Sequence, residues 1–188
     1  MESILKKEII ANRIILRSMA VIFFTIAISL GAFVRIPLGF TPVPLTLQTF
    51  FVLFSAAVLG IRLGLFVLLA YIFLGAAGIS VFAGTSTGLL YFLGPTSGYI
   101  FGFIAATIFI SVFIKHTRGN IYSTAGVFIL ASLLLLLCGV IWLKISLHLG
   151  WMQSFLLGFI PFIPGDIVKA VLAAVLFLKL KPRIKSIL

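Results

Sequence analysis

Pro161-Phe162-Ile163-Pro164-Gly165-Asp166-Ile167-Val168-Lys169 sets one carboxylate and one amine inside an apolar stretch that continues to Leu178. Asp166 is the only acidic residue after Glu8. An ionisable group at membrane depth costs about 3 kcal/mol or more unless it is paired or hydrated. A helix places residues i and i+3 on one face, so Asp166 and Lys169 can point into one pocket. The pair is therefore a candidate binding site, with a purely structural ion pair as the alternative. Two prolines and Gly165 interrupt the segment, which predicts a broken or re-started helix with Asp166 in its first turn. Free amides and the helix dipole favour negative charge there.

Working outward, the whole chain has the same character. Of its 188 residues 63% are hydrophobic and only 9% are charged, where a soluble domain carries about a quarter charged residues. The composition is that of an all-α integral membrane protein. The net charge of +11 does not mark a nucleic-acid binder, because the basic residues lie at the ends of apolar runs rather than along one polar face. A single Cys138 inside an apolar run rules out an intramolecular disulfide and reads as packing. His116 and His148 fall in different loops without thiols or carboxylates nearby, so no metal or other cofactor is implied.

Six hydrophobic segments can be drawn, roughly Ile14–Val34, Val43–Leu59, Leu63–Phe82, Gly98–Ile114, Ile121–Leu143 and Trp151–Leu178. About 20 apolar residues span a bilayer, so residues 1–188 read as one six-helix transmembrane domain. The first segment is too long for the apolar core of a signal peptide and has no convincing small-residue cleavage site. The second opens on Thr41-Pro42-Val43-Pro44, which predicts an extended stretch before the helix. With both termini cytoplasmic, the inside segments hold Lys6, Lys7, Arg13, Arg17, Arg62, Lys115, Arg118, Lys179, Lys181, Arg183 and Lys185, against Arg35 and Lys144 outside. That bias is the positive-inside pattern of a multi-pass protein of the cell membrane. Asp166 precedes Lys179 by about 20 Å of helix at 1.5 Å per residue, which puts the carboxylate in the outer half of the membrane.

The connection between the third and fourth segments, Gly84-Thr85-Ser86-Thr87-Gly88 through Gly94-Pro95-Thr96-Ser97-Gly98-Tyr99, carries hydroxyls and glycines but no charge. Glycine lets backbone approach a ligand, and hydroxyls offer neutral hydrogen bonds. The loop reads as a lid over an outward pocket, with a plain helix connector as the alternative. Gly98 and Gly102 have small-xxx-small spacing and are assigned to close helix packing. Gln48 can donate and accept, which suits a ureido or amide ligand as well as an interhelical hydrogen bond. No G-x-x-x-x-G-K-[ST] run is present, so phosphate-loop chemistry is not supported. One carboxylate in the body of the chain leaves no partner for glycosidic or two-metal chemistry.

Several stretches together are similar to one family. They are Gly31-Ala32-Phe33-Val34-Arg35-Ile36-Pro37-Leu38, Pro42-Val43-Pro44-Leu45-Thr46-Leu47-Gln48-Thr49, Gly75-Ala76-Ala77-Gly78, Gly94-Pro95-Thr96-Ser97-Gly98-Tyr99, and Ile163-Pro164-Gly165-Asp166 with Lys169. The chain resembles BioY, the biotin-specific S-component of energy-coupling-factor vitamin transporters. The resemblance implies a six-helix S-component fold that captures biotin from outside the cell. It also implies partners: a transmembrane coupling subunit and two cytoplasmic ATPases, beside membrane lipid. By motif position it implies that Asp166 and Lys169 contact the biotin head or carboxylate, that Tyr99 and the Gly84, Thr85, Ser86 loop form wall and lid, and that Gln48 lies nearby. Many S-components dock through Ala-x-x-x-Ala on the first helix. Here Phe24 stands four after Ala20, and Ala27 with Gly31 have the spacing further along. The competing readings are another small vitamin on the same scaffold, an intramembrane enzyme using Asp166 as acid or base, and a pore. A lone Asp-Lys pair is a poor selectivity device for the last.

Overall fold

The computed structural model describes residues 2–84 and 88–187, with side chains described for 12–84 and 88–182. Thr85, Ser86 and Thr87 of the loop lie outside the described residues. The elements run α1 (Glu2–Phe33), β1 (Arg35–Ile36), β2 (Leu45–Thr46), α2 (Gln48–Ala76), α3 (Ser97–Phe113), α4 (Ile121–Leu147), α5 (Trp151–Gly158) and α6 (Ile163–Ile187). Short 3-10 turns occupy Gly88–Leu93, Ile114–Thr117 and Ile160–Phe162. Among the described residues five stretches are long and apolar enough to cross a membrane: Asn12–Phe33, Gln48–Ala76, Ser97–Thr117, Ile121–Leu147 and Trp151–Pro182.

The second of these stretches is folded in two. Gly60 has φ 71° and ψ −174°, a conformation that a side chain resists. The side chains on either side of it then meet across a hairpin. Gln48 Nε2 donates to the Tyr71 hydroxyl at 2.6 Å, a contact that a straight helix would separate by about 35 Å. Counted as two arms, 48–59 and 61–76, α2 brings the long apolar stretches among the described residues from five to six. The first arm is only about 18 Å of helix. The chain enters this arm through the short strand Leu45–Thr46, paired with Arg35–Ile36, so the stretch after the two prolines is not helical.

The expected third segment ran to Phe82, but the helix ends at Ala76. Gly78 takes φ 95°, and the Gly78 and Ile79 amides bond back to Gly75 and Leu74, an end of the kind glycine permits. The chain turns so that the Phe82 ring packs directly on Gly75. The sixth segment divides as its prolines require, into α5, a 3-10 turn and α6. Asn120 caps α4 by accepting from the Tyr122 and Ser123 amides at 2.8 and 3.3 Å.

The core lies between α2, α3, α4 and α6, where Leu53, Val67, Ala106, Phe128, Leu135 and Ala173 are fully buried. Gly98 sits against Trp142, and a methyl at Gly102 would come within 2.6 Å of the Leu135 carbonyl. Both glycines bring α3 onto α4, as their spacing indicates. Gly31 packs on the backbone of Gln48 and Ala27 is buried, so these small residues of α1 serve internal packing. The outer surfaces are apolar in turn: Phe23, Phe73 and Leu30 are all largely exposed.

Candidate functional site

Four elements converge on the Asp166–Lys169 pair. Asp166 lies in the first turn of α6 and is 3% exposed. One oxygen meets Lys169 in an i,i+3 ion pair and accepts from Thr49 Oγ1 at 3.3 Å. The other accepts from Ser132 Oγ of α4 at 3.4 Å. Lys169, 8% exposed, also donates to Thr49 Oγ1 at 2.6 Å and to the Thr46 carbonyl at 2.9 Å. Three donors thus meet three acceptors. The extended approach to α2 matters here. Thr46 precedes the helix, so its carbonyl is left for the ammonium group.

A cavity opens from this pair. Thr46, Gln48 and Thr49 line its polar side, and Tyr71, Tyr91, Tyr99, Phe103 and Phe162 are among its aromatic walls. It leaves about 50 Å³ for the centres of water-sized molecules within about 490 Å³ of total empty space. The tighter figure is room for roughly three to five waters at about 10–15 Å³ each, so a vitamin-sized ligand requires the walls to give. A lone charged pair beside aromatic walls is the usual composition of a small-molecule site: a largely apolar enclosure with a few convergent polar groups.

The residues singled out from the sequence divide into three groups. Asp166, Lys169, Gln48 and Tyr99 all line the cavity. Gln48 lines the cavity, and its amide makes the interhelical hydrogen bond of its second reading, across the two arms of α2 to Tyr71. The Tyr99 hydroxyl donates to the Gly158 carbonyl at 2.7 Å, so its ring forms wall while its polar end holds α5. Gly84 stands beside the lining residue Ala83, and its carbonyl accepts from Arg35 at 3.1 Å, clasping the loop to β1. Thr85 and Ser86 lie outside the described residues.

The structure adds Thr49, Ser132, Tyr71 and Tyr91. Tyr91 stacks on Phe82 at 4.2 Å between centroids, and Phe82 meets Tyr71 edge-on at 5.3 Å. An aromatic relay therefore runs from the loop to the Gln48 amide. Burial holds the Tyr91 phenol above its usual range, partly offset by Thr96, so it faces the cavity as a neutral hydroxyl. A Tyr or Thr in an apolar run gives little sign of itself; for Tyr91 the cue was the uncharged, glycine-flanked loop around it.

The BioY family model matches residues 6–186. The chain belongs to the BioY family. A probable biotin transporter BioY of Pyrococcus horikoshii is 41% identical over 157 residues, 83% of this chain and 90% of that protein. The biotin transporter BioY of Thermotoga maritima is 40% identical over 159 residues, 84% of this chain and 91% of that one. Among solved structures, the S-component for biotin from an ECF-type ABC transporter superposes with a TM-score of 0.83 at 28% identity, covering 91% of this chain and 93% of that one. Membership accounts for the all-α membrane fold. The named relatives are transporters.

Proposed function

We propose that this chain is the biotin-specific S-component of an energy-coupling-factor importer, with the cavity at Asp166 and Lys169 as its binding site. The observation that carries the reading is the buried Asp166–Lys169 pair at the head of a cavity with aromatic walls. A carboxylate accepts N–H groups, and the ammonium donates to a ligand carbonyl by exchanging one of its three internal acceptors for it. Side by side, they match a cyclic urea, which presents an N–H beside a C=O. Gln48 repeats the same donor-acceptor complement, and the apolar walls suit the sulfur ring and aliphatic chain of biotin. Gly84 with Thr85 and Ser86 belongs to the loop closing the site, and Tyr99 to its wall.

The protein sits in the cytoplasmic membrane with both termini in the cytoplasm and the cavity toward the outside. ATP hydrolysis belongs to two separate cytoplasmic subunits acting through a transmembrane coupling subunit; the lack of a phosphate-loop motif in this sequence supports that division. The transporter names of the relatives speak against Asp166 acting as an intramembrane acid or base.

A thermal-shift panel of vitamins on the purified chain tests the specificity. Biotin is expected to raise the unfolding midpoint, since a ligand that binds only the native state stabilises it in proportion to the logarithm of its concentration over Kd. A shift with a different vitamin and none with biotin would move the assignment to that vitamin on the same scaffold.

A further inference from the structure

The connection from α2 to α3 is long, carries no charged residue and presents an apolar surface. From Arg62 to Lys115 the sequence holds no intervening Lys, Arg, Asp or Glu. The 3-10 turn Gly88–Leu93 lies within this run. Its Tyr91 is 5% exposed and faces the cavity, and Phe92 packs on the core. Its three leucines do the opposite: Leu89, Leu90 and Leu93 are 73%, 73% and 78% exposed. Three leucines left in water within six residues would be costly, and no charged residue lies in the same run of sequence to keep the turn solvated. The exposed surface is also continuous in kind with the lipid-facing sides of the helices that the loop joins, where Phe73 is 72% and Phe101 53% exposed. At the end of the turn, Trp142 Nε1 donates to the Gly94 carbonyl at 2.9 Å, and tryptophan is enriched where a membrane meets water.

We propose that the turn Gly88–Leu93 is seated in the lipid of the adjoining leaflet, with Leu89, Leu90 and Leu93 among the acyl chains and Tyr91 turned inward. The occupant of this face is the bilayer, rather than a protein surface or a second copy of the chain. The turn is then gripped from two sides, by the Phe82 stack within and by hydrocarbon without. For the site, this makes lipid part of what holds the cavity wall in place, a consequence that rests on the ligand reading of the cavity. The seating itself rests only on exposure and charge.

The test is a nitroxide placed by Leu90→Cys or Leu93→Cys, each read alone, in a Cys138→Ala background reconstituted in liposomes without other proteins. Collision with oxygen, which dissolves in hydrocarbon, is compared with collision with a water-soluble nickel chelate. Phe73→Cys supplies the lipid-facing reference and His116→Cys the water-facing one. The oxygen-to-nickel ratio at both leucines is expected to match Phe73→Cys and to exceed His116→Cys several-fold. A ratio equal to His116→Cys places the turn in water and overturns the proposal. Low collision with both relaxants means that protein covers the face, and overturns it equally. Biotin binding by each labelled variant is measured separately. Lost or absent binding with a high ratio counts against the ligand reading while leaving the lipid seating in place.

Discussion

Lys169 is held by a carboxylate, a hydroxyl and a backbone carbonyl from three elements, and Asp166 by two hydroxyls besides. Removing one charge of such a pair harms more than removing both, because the survivor is left buried and unpaired. Asp166→Asn is expected to weaken biotin binding through loss of a charge-assisted hydrogen bond, by about 1.5–3 kcal/mol, roughly one to two decades in Kd. It should also lower the unfolding midpoint. Adding Lys169→Met should restore part of the stability and none of the affinity, measured by thermal unfolding and titration of the three variants. Recovered affinity in the double variant would make the pair structural. This residue pair was legible in the sequence because a carboxylate and an amine stand out against an apolar background, and Gln48 stood out for the same reason. Thr49 and Ser132 did not. Hydroxyls are common in membrane helices, and only the register of α2 and α4 against α6 shows which of them reach the carboxylate.

The helices owe their positions to a few glycines and prolines. Gly60 folds α2 back on itself and creates the Gln48–Tyr71 contact. Two apolar segments, Val43–Leu59 and Leu63–Phe82, flank that point in the sequence, so the reversal was legible, whereas the early end at Ala76 was not. The run from Val81 to Ala83 is as apolar as a helix interior, but it is apolar because it packs against Gly75 and the cavity. Hydropathy does not separate those two kinds of burial. The α3–α4 contact offers a direct test at this scale. An added methyl at Gly102 meets backbone of Leu135, which cannot rotate aside as a side chain would. Gly102→Ala is expected to cost about 1–3 kcal/mol by overpacking, seen as a lower midpoint in thermal or denaturant unfolding in detergent. An unchanged midpoint would mean that the two helices have slack between them.

Over the whole molecule, charge and architecture agree. Arg17 shares a groove with Leu63, the neighbour of Arg62, and Lys181 lies beside Gly119, the neighbour of Arg118. Arg35 and Lys144 lie instead near the cavity-side loops, Arg35 on Gly84 and Lys144 over the Trp151 ring. If the basic end is cytoplasmic, a cysteine at exposed Met152 should react with an impermeant maleimide on intact cells, in a Cys138→Ala background. One at Lys115 should react only after permeabilisation, and the reverse pattern would invert the topology. What composition could not convey is how tight the site is. About 50 Å³ of free centre space is a property of side-chain packing between distant segments. Above all, this cavity is expected to take up biotin without any other subunit. Isothermal titration of biotin into the purified chain in nanodiscs tests it most directly, with Asp166→Asn run alongside. Saturable one-to-one binding is expected, weakened about one to two decades by the substitution; no saturation, or equal affinity in both proteins, would refute biotin capture at this pair.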